Sequence, residues 1–429
     1  METPESTPAR PDRRSAFLLL FFCLLAVGAG NTMLTTAVLP PLTRELGLPD
    51  WTGGAIFSLS AAVWSITAPY WGGRSNALGR RPVAAIGMVG FAVSMFLFGV
   101  VMIGALHDWI QGWILIFVLL LAARTLFGVF GSATNPAAQA YVADRTSLAE
   151  RTGEIASLTS GFTLGQVAGP AGAAVIISAG VFISPTVGLV APVFFITIVA
   201  LGMAWLVMAK LPENRPPQSD AGIQVTGAKG LWRRPEVFPF LAYAVGLSLI
   251  TGVLQQTFPY AIMDRMGVSG PESAQYTGPA LTLGAMATLI SQLVLIPRLR
   301  LTARSLMVYG ALLLALSGVV TVWAMQFAVL AFAQILFGLG QGLARPGFSA
   351  GASLSVDADL QGDIAGLVTA ANGMGFVVAP VFGLGMYQYV GPWAPFAFSA
   401  VVMVALCAYA FFRARHGEAP PPEPGAPFP

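Results

Sequence analysis

Residues 124–172 read RTLFGVFGSATNPAAQAYVADRTSLAERTGEIASLTSGFTLGQVAGPAG, and their pattern returns roughly 210 residues later in the chain. The stretch holds an arginine inside an apolar run, then a short charged loop, then a glycine-rich apolar run. The matching groups are Leu126-Phe127-Gly128 with Leu336-Phe337-Gly338, Asn135-Pro136 with Arg345-Pro346, Gly153-Glu154-Ile155-Ala156 with Gly362-Asp363-Ile364-Ala365, Gly165 with Gly375, and Pro170 with Pro380. An internal repeat at half the chain length predicts a duplicated helical bundle.

The composition is typical of a protein that is embedded mainly in a lipid bilayer. Of 429 residues, 56% are hydrophobic and 10% are charged, against about 25% charged residues in soluble domains. Mean hydropathy is +0.74. We interpret the net charge of +3 as basic loops rather than affinity for nucleic acid. The composition therefore predicts a multi-pass protein of the plasma (inner) membrane, with the lipid bilayer and not nucleic acid as its partner.

Twelve apolar segments are long enough to cross a hydrocarbon core about 30 Å thick. They lie at roughly residues 16–40, 53–72, 83–106, 112–140, 154–180, 187–208, 236–262, 275–297, 304–323, 326–349, 364–386 and 392–412. They predict an all-α membrane protein with twelve transmembrane helices in two pseudo-symmetric six-helix bundles. We expect a tail at 1–15, the first half at 16–208, a linker rich in Pro, Gly and charge at 209–235, the second half at 236–413, and a disordered proline-rich tail at 414–429.

The distribution of Lys and Arg predicts the orientation. Of 22 such residues, Arg44 and Arg265 fall in loops on one side, and Arg124 and Arg345 fall inside spans. The other 18 fall in the tails and in the alternate loops. Because loops rich in Lys and Arg stay in the cytoplasm, both termini are predicted to be cytoplasmic.

The loop after the second segment carries a signature. Residues 72–83 read GGRSNALGRRPV, which resembles the loop signature of the major facilitator superfamily. Twelve segments in two halves with a long central loop resemble that family over essentially the whole chain. The resemblance implies a monomeric secondary transporter in which Arg80 and Arg81 latch the cytoplasmic side shut. Asn76 replaces the usual Asp, so the latch is weaker or uses another partner, such as Asp144.

Arg124 lies about twelve residues into the fourth segment. Gly128, Gly131 and Asn135 follow at spacings that place them on its helical face. A charge near mid-bilayer costs roughly 2.5–3.5 kcal/mol, so Arg124 should face the protein interior. The spacing resembles the family's span-four signature, which implies a role in coupling.

The fifth segment carries glycines at every fourth position, Gly161, Gly165 and Gly169, followed by Pro170. Such glycines let helices approach closely, and the proline permits a bend. The pattern resembles the signature of the drug-exporting branches of the family, and the resemblance implies export rather than import. It assigns Gly165, Gly169 and Pro170 to gating or coupling.

Polar and aromatic residues inside the spans form the predicted substrate cavity. In the family, spans 1, 4, 7 and 10 and their neighbours line this cavity. The predicted cavity residues are Asn31, Thr35, Trp64, Arg124, Asn135, Gln166, Thr251, Gln255, Gln292, Gln334, Gln341, Arg345 and Asn372. Many of these side chains could instead join helices by hydrogen bonds worth about 0.6–2 kcal/mol each.

No Asp or Glu of the sequence falls near mid-membrane. Proton-coupled exporters of the family usually carry such a carboxylate, whose pKa desolvation raises. Two explanations stay open. Either a carboxylate at the cytoplasmic ends titrates, with Asp144, Glu154 and Asp363 as candidates, or the substrate brings its own charge to Arg124 and Arg345.

The sequence holds no nucleotide-binding glycine loop, no catalytic cluster and no metal-ligand spacing, so we expect neither an enzyme nor a cofactor or metal. The favoured function is export of small amphipathic molecules by alternating access, with proton antiport. The alternative is transport of one anionic metabolite, such as a carboxylate-bearing metal chelator. A non-transporting membrane sensor is the third hypothesis.

Overall fold

The computed structural model describes residues 11–146, 148–213, 230–270, 272–299, 301–356 and 360–413. The predicted tails at 1–15 and 414–429 and the linker at 209–235 lie largely or wholly outside these residues. Below, residues 11–213 are called the first half and residues 230–413 the second half.

The described chain forms helices, with no strand among the residues described. Twelve long helices follow one another. They are α1 (Pro11–Thr32, continued by Met33–Val38 and Leu39–Glu45), α2 (Asp50–Leu78), α3 (Arg80–Leu106), α4 (Trp113–Phe130, continued by Gly131–Ala133 and Thr134–Ala143), α5 (Leu148–Val181), α6 (Pro185–Lys210), α7 (Phe238–Met266), α8 (Ala274–Ile290, continued by Ser291–Leu295 and Ile296–Leu299), α9 (Ala303–Trp323), α10 (Phe327–Leu354), α11 (Gln361–Tyr389) and α12 (Ala394–Arg413).

Local chemistry sets several of the helix ends. Gly79 separates α2 from α3 with a φ of 98°, a backbone conformation that side-chain-bearing residues rarely adopt. The Ser184 hydroxyl accepts from the Val187 N–H and begins α6, and Thr302 does the same for Ser305 at α9. Gly267 ends α7 in the left-handed conformation.

Eleven helices in the described part of the chain are long and apolar enough to cross a membrane. The fold is therefore that of a multi-pass membrane protein, as predicted. The helix that falls short is α2, which has 29 residues but a more polar composition. The Ser60 and Thr67 hydroxyls donate to carbonyl oxygens of α4 and Ser65 lines a cavity, so part of the polarity of α2 serves contacts inside the protein. The count of twelve spans stays a prediction.

The buried apolar side chains form two principal clusters. One runs from Ala16 to Leu211 and the other from Leu231 to Ala410, so each draws on one half of the chain. The two halves meet along two helix pairs, α2 with α11 and α5 with α8. A smaller apolar cluster containing Met33, Ala173 and Ala274 joins α1 and α5 to α8. The sequence repeat is thus mirrored in packing, with each half building a hydrophobic core of its own.

Candidate functional site

A cavity of about 370 Å³ lies where the two halves meet. Its wall comes from α1, α2, α4 and α5 of the first half and from α7, α8, α10 and α11 of the second. Ten of the thirteen predicted cavity residues lie on this wall: Asn31, Thr35, Trp64, Arg124, Gln166, Gln255, Gln292, Gln334, Gln341 and Arg345. Helical spacing predicted most of these side chains, and the packing of the two halves brings together residues up to 314 positions apart in the sequence, from Asn31 to Arg345.

Three predicted residues are not part of the wall. Asn135 accepts a hydrogen bond from Gln139 one turn further along its own helix. Thr251 is fully buried and donates to the Leu247 carbonyl oxygen, which satisfies its hydroxyl within α7. Asn372 is half-buried, and the neighbouring Gly373 lines the cavity in its place. Sharing a face with a cavity residue was not enough, because a helical face is wider than the strip that reaches the cavity.

Arg124 is 1% exposed although it lines the cavity. One guanidinium nitrogen, Nη2, donates to Oδ1 of Asn31 on α1. The guanidinium carbon lies 4.1 Å from the ring centroid of Phe127, a cation–π contact. The other two nitrogens, Nε and Nη1, are buried and have no hydrogen-bond partner among the described residues. The side chain is thus a largely uncompensated buried cation.

The helices around Arg124 are held by hydrogen bonds from serine hydroxyls to backbone carbonyl oxygens and by a close approach at a glycine. The Ser60 hydroxyl of α2 donates to the Arg124 carbonyl oxygen, and Ser94 of α3 donates to that of Ala123. A Cβ added at Gly128 would come within 2.8 Å of the Ser60 carbonyl oxygen. The glycine one turn after the arginine therefore permits the close approach of α2 to α4, which fixes the arginine beside the cavity.

Arg345 enters the same cavity from α10 of the second half. It is half-buried, and its guanidinium carbon lies 5.9 Å from the ring centroid of Phe376. It makes no hydrogen bond or ion pair with the described residues. The repeat thus places one arginine in each half of the wall, although the two do not align with each other in the sequence.

Glutamine is the commonest polar side chain of the wall. Within the described residues, no Asp or Glu lines the cavity. The wall residues that sequence reasoning missed include Thr32, Thr36, Phe57, Ser60, Ser65, Gln256 and Thr288. Gln256 follows the predicted Gln255 directly, and Ser60 lies one helical turn before the predicted Trp64 on α2. That proximity to predicted residues was the signal available in the sequence.

The glycines of α5 pack against α1. A Cβ at Gly165 would lie closer to the Leu25 carbonyl oxygen than van der Waals contact allows. A Cβ at Gly169 would clash with the Thr32 hydroxyl and the Ala29 carbonyl oxygen. The following Pro170 lines the cavity. The predicted seam of small residues therefore joins two helices of the first half next to the cavity.

A cluster of polar side chains closes one end of the cavity. We call it the Arg44 cluster, and its members are Thr43, Arg44, Asp50, Tyr260, Asp264 and Tyr387. Arg44 donates to Asp50 at 2.6 Å and to Asp264 of the second half at 2.7 Å. Tyr387 donates to Asp264 at 2.6 Å, and the hydroxyls of Thr43 and Tyr260 lie 2.8 Å apart. Burial raises the pKa of the Asp50 carboxyl above its ordinary value, and the contact with Arg44 offsets only part of that shift.

Sequence reasoning placed Arg44 and Asp264 in loops and did not connect them. They are 220 positions apart in the chain, and only the packing of the two halves brings them together. The signal available was that Arg44 is one of two basic residues predicted on its side of the membrane.

The opposite end, called here the Arg80 end, carries the predicted gating residues. Arg80 pairs with Asp144 at 2.9 Å, and the Arg81 Nε lies 3.4 Å from a carboxylate oxygen of Glu213. Glu154 is half-buried on α5. The side chains of Asn76 and Asp363 lie outside those that the structure describes. Whether these residues gate transport stays a prediction.

The wall changes from buried to exposed along the cavity. Thr36 and Gln256 are buried, whereas Ser65 and Gly373 are exposed. Ser65 lies towards the end of α2 that leads to Arg80, and Thr36 lies seven residues before Thr43 of the Arg44 cluster. The cavity is therefore closed at the Arg44 cluster and opens towards the Arg80 end.

Comparisons with known proteins agree with this architecture. The family model described as Major Facilitator Superfamily matches residues 20–300 and 276–429. The chain is 25% identical over 393 residues to "Multidrug resistance protein 1" of Bacillus subtilis (strain 168), covering 90% of this chain and 91% of that protein. It is 30% identical over 214 residues to "Multidrug resistance protein MdtG" of Proteus mirabilis (strain HI4320), a match that spans about half of each chain (48% and 47%).

A solved structure shows the same fold. It is a bacterial homologue of the human lysosomal transporter Spinster in an inward-facing, unoccupied conformation, with a TM-score of 0.74, 14% identity, and coverage of 95% of this chain and 98% of that one. The family match spans both halves and the cavity between them, and it implies a transporter rather than an enzyme. The chain belongs to the major facilitator superfamily.

Proposed function

We propose that this protein exports small amphipathic molecules from the cytoplasm by alternating access, with proton antiport. The observation that carries the proposal is the cavity between the two halves, closed at the Arg44 cluster and open towards the Arg80 end. Such a cavity is the inward-facing half of a transport cycle. The similarity to proteins named for multidrug resistance supports export and an amphipathic substrate.

In the proposed orientation the Arg80 end faces the cytoplasm, both termini lie there, and α2 is the twelfth span. A molecule enters the cavity from the cytoplasm and contacts both halves. The halves then rock about the cavity, so that the Arg80 end closes and the Arg44 cluster separates. The protein is proposed to work as a monomer, because each half of the cavity wall comes from one half of the same chain.

The proposed coupling cannot use a carboxylate on the described cavity wall, since that wall holds none. The candidates at the two ends are Asp144 and Glu154 near the Arg80 end, Asp363 on α11, and Asp50 and Asp264 in the Arg44 cluster. As one end opens, such a carboxylate would lose its arginine partner and bind a proton instead. Proton movement would then be coupled to the conformational change.

The test is transport in right-side-out and inverted membrane vesicles with an imposed pH gradient, using tetracycline, ethidium and 1-naphthoate as probes. We expect uptake into inverted vesicles when their interior is acidic. Arg124→Ala should reduce that uptake to the background level while leaving expression and the unfolding temperature near those of the parent protein. The substitution removes the guanidinium that joins α4 to Asn31 of α1, and it neither fills nor blocks the cavity.

Arg298→Gln, an exposed arginine at the end of α8, is the matched control and should transport normally. Uptake of all three probes at background level in both vesicle orientations would contradict transport of such molecules. Uptake only into right-side-out vesicles would contradict export. Rates that ignore the pH gradient would remove proton antiport and leave export standing.

A further inference from the structure

The charge balance of the cavity carries a more specific conclusion, which rests on the proposed function. Arg124 presents two buried guanidinium nitrogens that have no partner among the described residues. An arginine does not lose its proton in a protein, so this charge cannot be removed by titration. A buried donor without a partner is costly and needs an explanation, and a bound ligand that supplies the missing acceptor is one such explanation.

A second arginine meets the same space from the opposite half. Arg345 contacts the Phe376 ring and makes no hydrogen bond or ion pair with the described residues. Because no Asp or Glu lines the cavity within the described chain, the two arginines give the wall two positive charges and no negative one. The wall therefore attracts an anion and repels a cation.

The rest of the wall suits an organic anion rather than an inorganic one. Trp64 and Phe162 offer aromatic surface from the first half, and Phe376 offers it from the second. Gln255, Gln334 and Gln341 add amide groups that can donate to further oxygen atoms. A molecule with an acidic group and an apolar body would satisfy both parts of the wall.

We propose that the transported molecules are organic anions whose carboxylate or other acidic group is bound jointly by Arg124 and Arg345. Because the two arginines belong to different halves, the anion bridges the halves. Closing the Arg80 end without it would enclose two uncompensated cations in a medium of low dielectric constant. The bound anion removes that penalty, so the loaded cavity closes more readily than the unloaded one.

The test uses three probes of nearly the same shape and different charge: 1-naphthoate, 1-naphthamide and 1-naphthylmethylammonium. Their dissociation constants are measured by calorimetry on the purified full-length protein in lipid nanodiscs. We expect the naphthoate to bind at least tenfold more tightly than the amide, and the ammonium to bind least. Arg345→Gln should remove most of the tenfold preference for the anion, and Arg345→Lys should keep part of it. Arg298→Gln should change nothing.

Arg124→Gln should also remove the preference. Equal binding of the amide and the naphthoate to the parent protein would overturn the proposal, as would no naphthoate binding at millimolar concentration. A tenfold preference that survives Arg345→Gln would overturn the joint site. Selective naphthoate binding without vesicle transport would contradict the proposed function alone. Export of ethidium without naphthoate binding would contradict this inference alone.

Discussion

The two ends of the molecule hold their charged groups in different ways. At the Arg44 cluster, an arginine of the first half binds Asp264 of the second half. At the Arg80 end, Arg80 pairs with Asp144 and Arg81 approaches Glu213, and all four residues belong to the first half. An ion pair between halves must break before they separate, whereas a pair inside one half moves with it. The difference shows which end is fastened in this conformation.

The largest effect should come from fixing the Arg44 end covalently. A Cβ at Gly270 would lie 2.9 Å from the Cβ of Pro41, and the two residues belong to different halves. Disulfide-linked Cβ atoms lie about 3.5–4.5 Å apart, so a small displacement suffices. In a Cys23→Ala, Cys407→Ala background, oxidation of the Pro41→Cys, Gly270→Cys variant should abolish transport, and a reductant should restore it.

The matched control fastens two helices within one half. A Cβ at Gly72 on α2 would lie 3.7 Å from the Cβ of Pro136 at the end of α4, towards the Arg80 end. Oxidation of Gly72→Cys, Pro136→Cys should leave most transport intact, because the first half moves as a body. Transport that survives the first disulfide would show that the Arg44 end need not open. Equal loss in both variants would show that oxidation acts on the bundle as a whole.

Much of the fold could be predicted from the sequence, because membrane-spanning segments appear as long apolar runs. A run of apolar residues about 20 long has few alternatives to a helix across the bilayer. The weakest apolar signal is that of α2, whose place as the twelfth span stays a prediction. Ser60 of α2 donates to the Arg124 carbonyl oxygen, and Ser65 of α2 lines the cavity. These polar residues therefore contact the protein interior rather than lipid.

The sequence predicted part of the cavity wall, but it did not predict the Arg44 cluster. A buried charge in an apolar run, such as Arg124, must face the interior, and its helical neighbours follow from the 3.6-residue period. Asn135 and Thr251 share such faces yet bond within their own helices. The pairing of Arg44 with Asp264 depends on how two halves meet, and no local pattern encodes that.

A smaller effect is expected from weakening the Arg44 cluster. Arg44→Gln removes the ion pairs with Asp50 and Asp264, of which only the Asp264 pair joins the two halves. A partly exposed pair contributes about 0.2–1 kcal/mol, or up to roughly fivefold in a conformational equilibrium. We expect the outward-open state to gain population. In the cysteine-free background, Ala285→Cys on the cavity wall should react several-fold faster with a membrane-impermeant maleimide added to right-side-out vesicles.

Tyr387→Phe gives a graded version of the same experiment. It removes one hydrogen bond within the second half, which helps to orient Asp264 towards Arg44, and it keeps both ion pairs of Arg44. Its labelling rate should fall between those of the parent protein and Arg44→Gln. An unchanged rate in Arg44→Gln would mean that the apolar contacts around Met33, Ala173 and Ala274 hold the end closed without the cluster.

The smallest effect should come from Arg81→Gln at the Arg80 end. The Arg81 Nε and the nearest Glu213 oxygen are 3.4 Å apart, and neither atom has a hydrogen-bond partner, so the pair is weak despite its opposite charges. We expect a change of less than about 1 kcal/mol in unfolding free energy and no change in the labelling of Ala285→Cys. Because both partners sit in the first half, losing them leaves the contact between halves untouched. If Arg81→Gln speeds labelling as much as Arg44→Gln, the two ends do not differ in the way their ion pairs indicate.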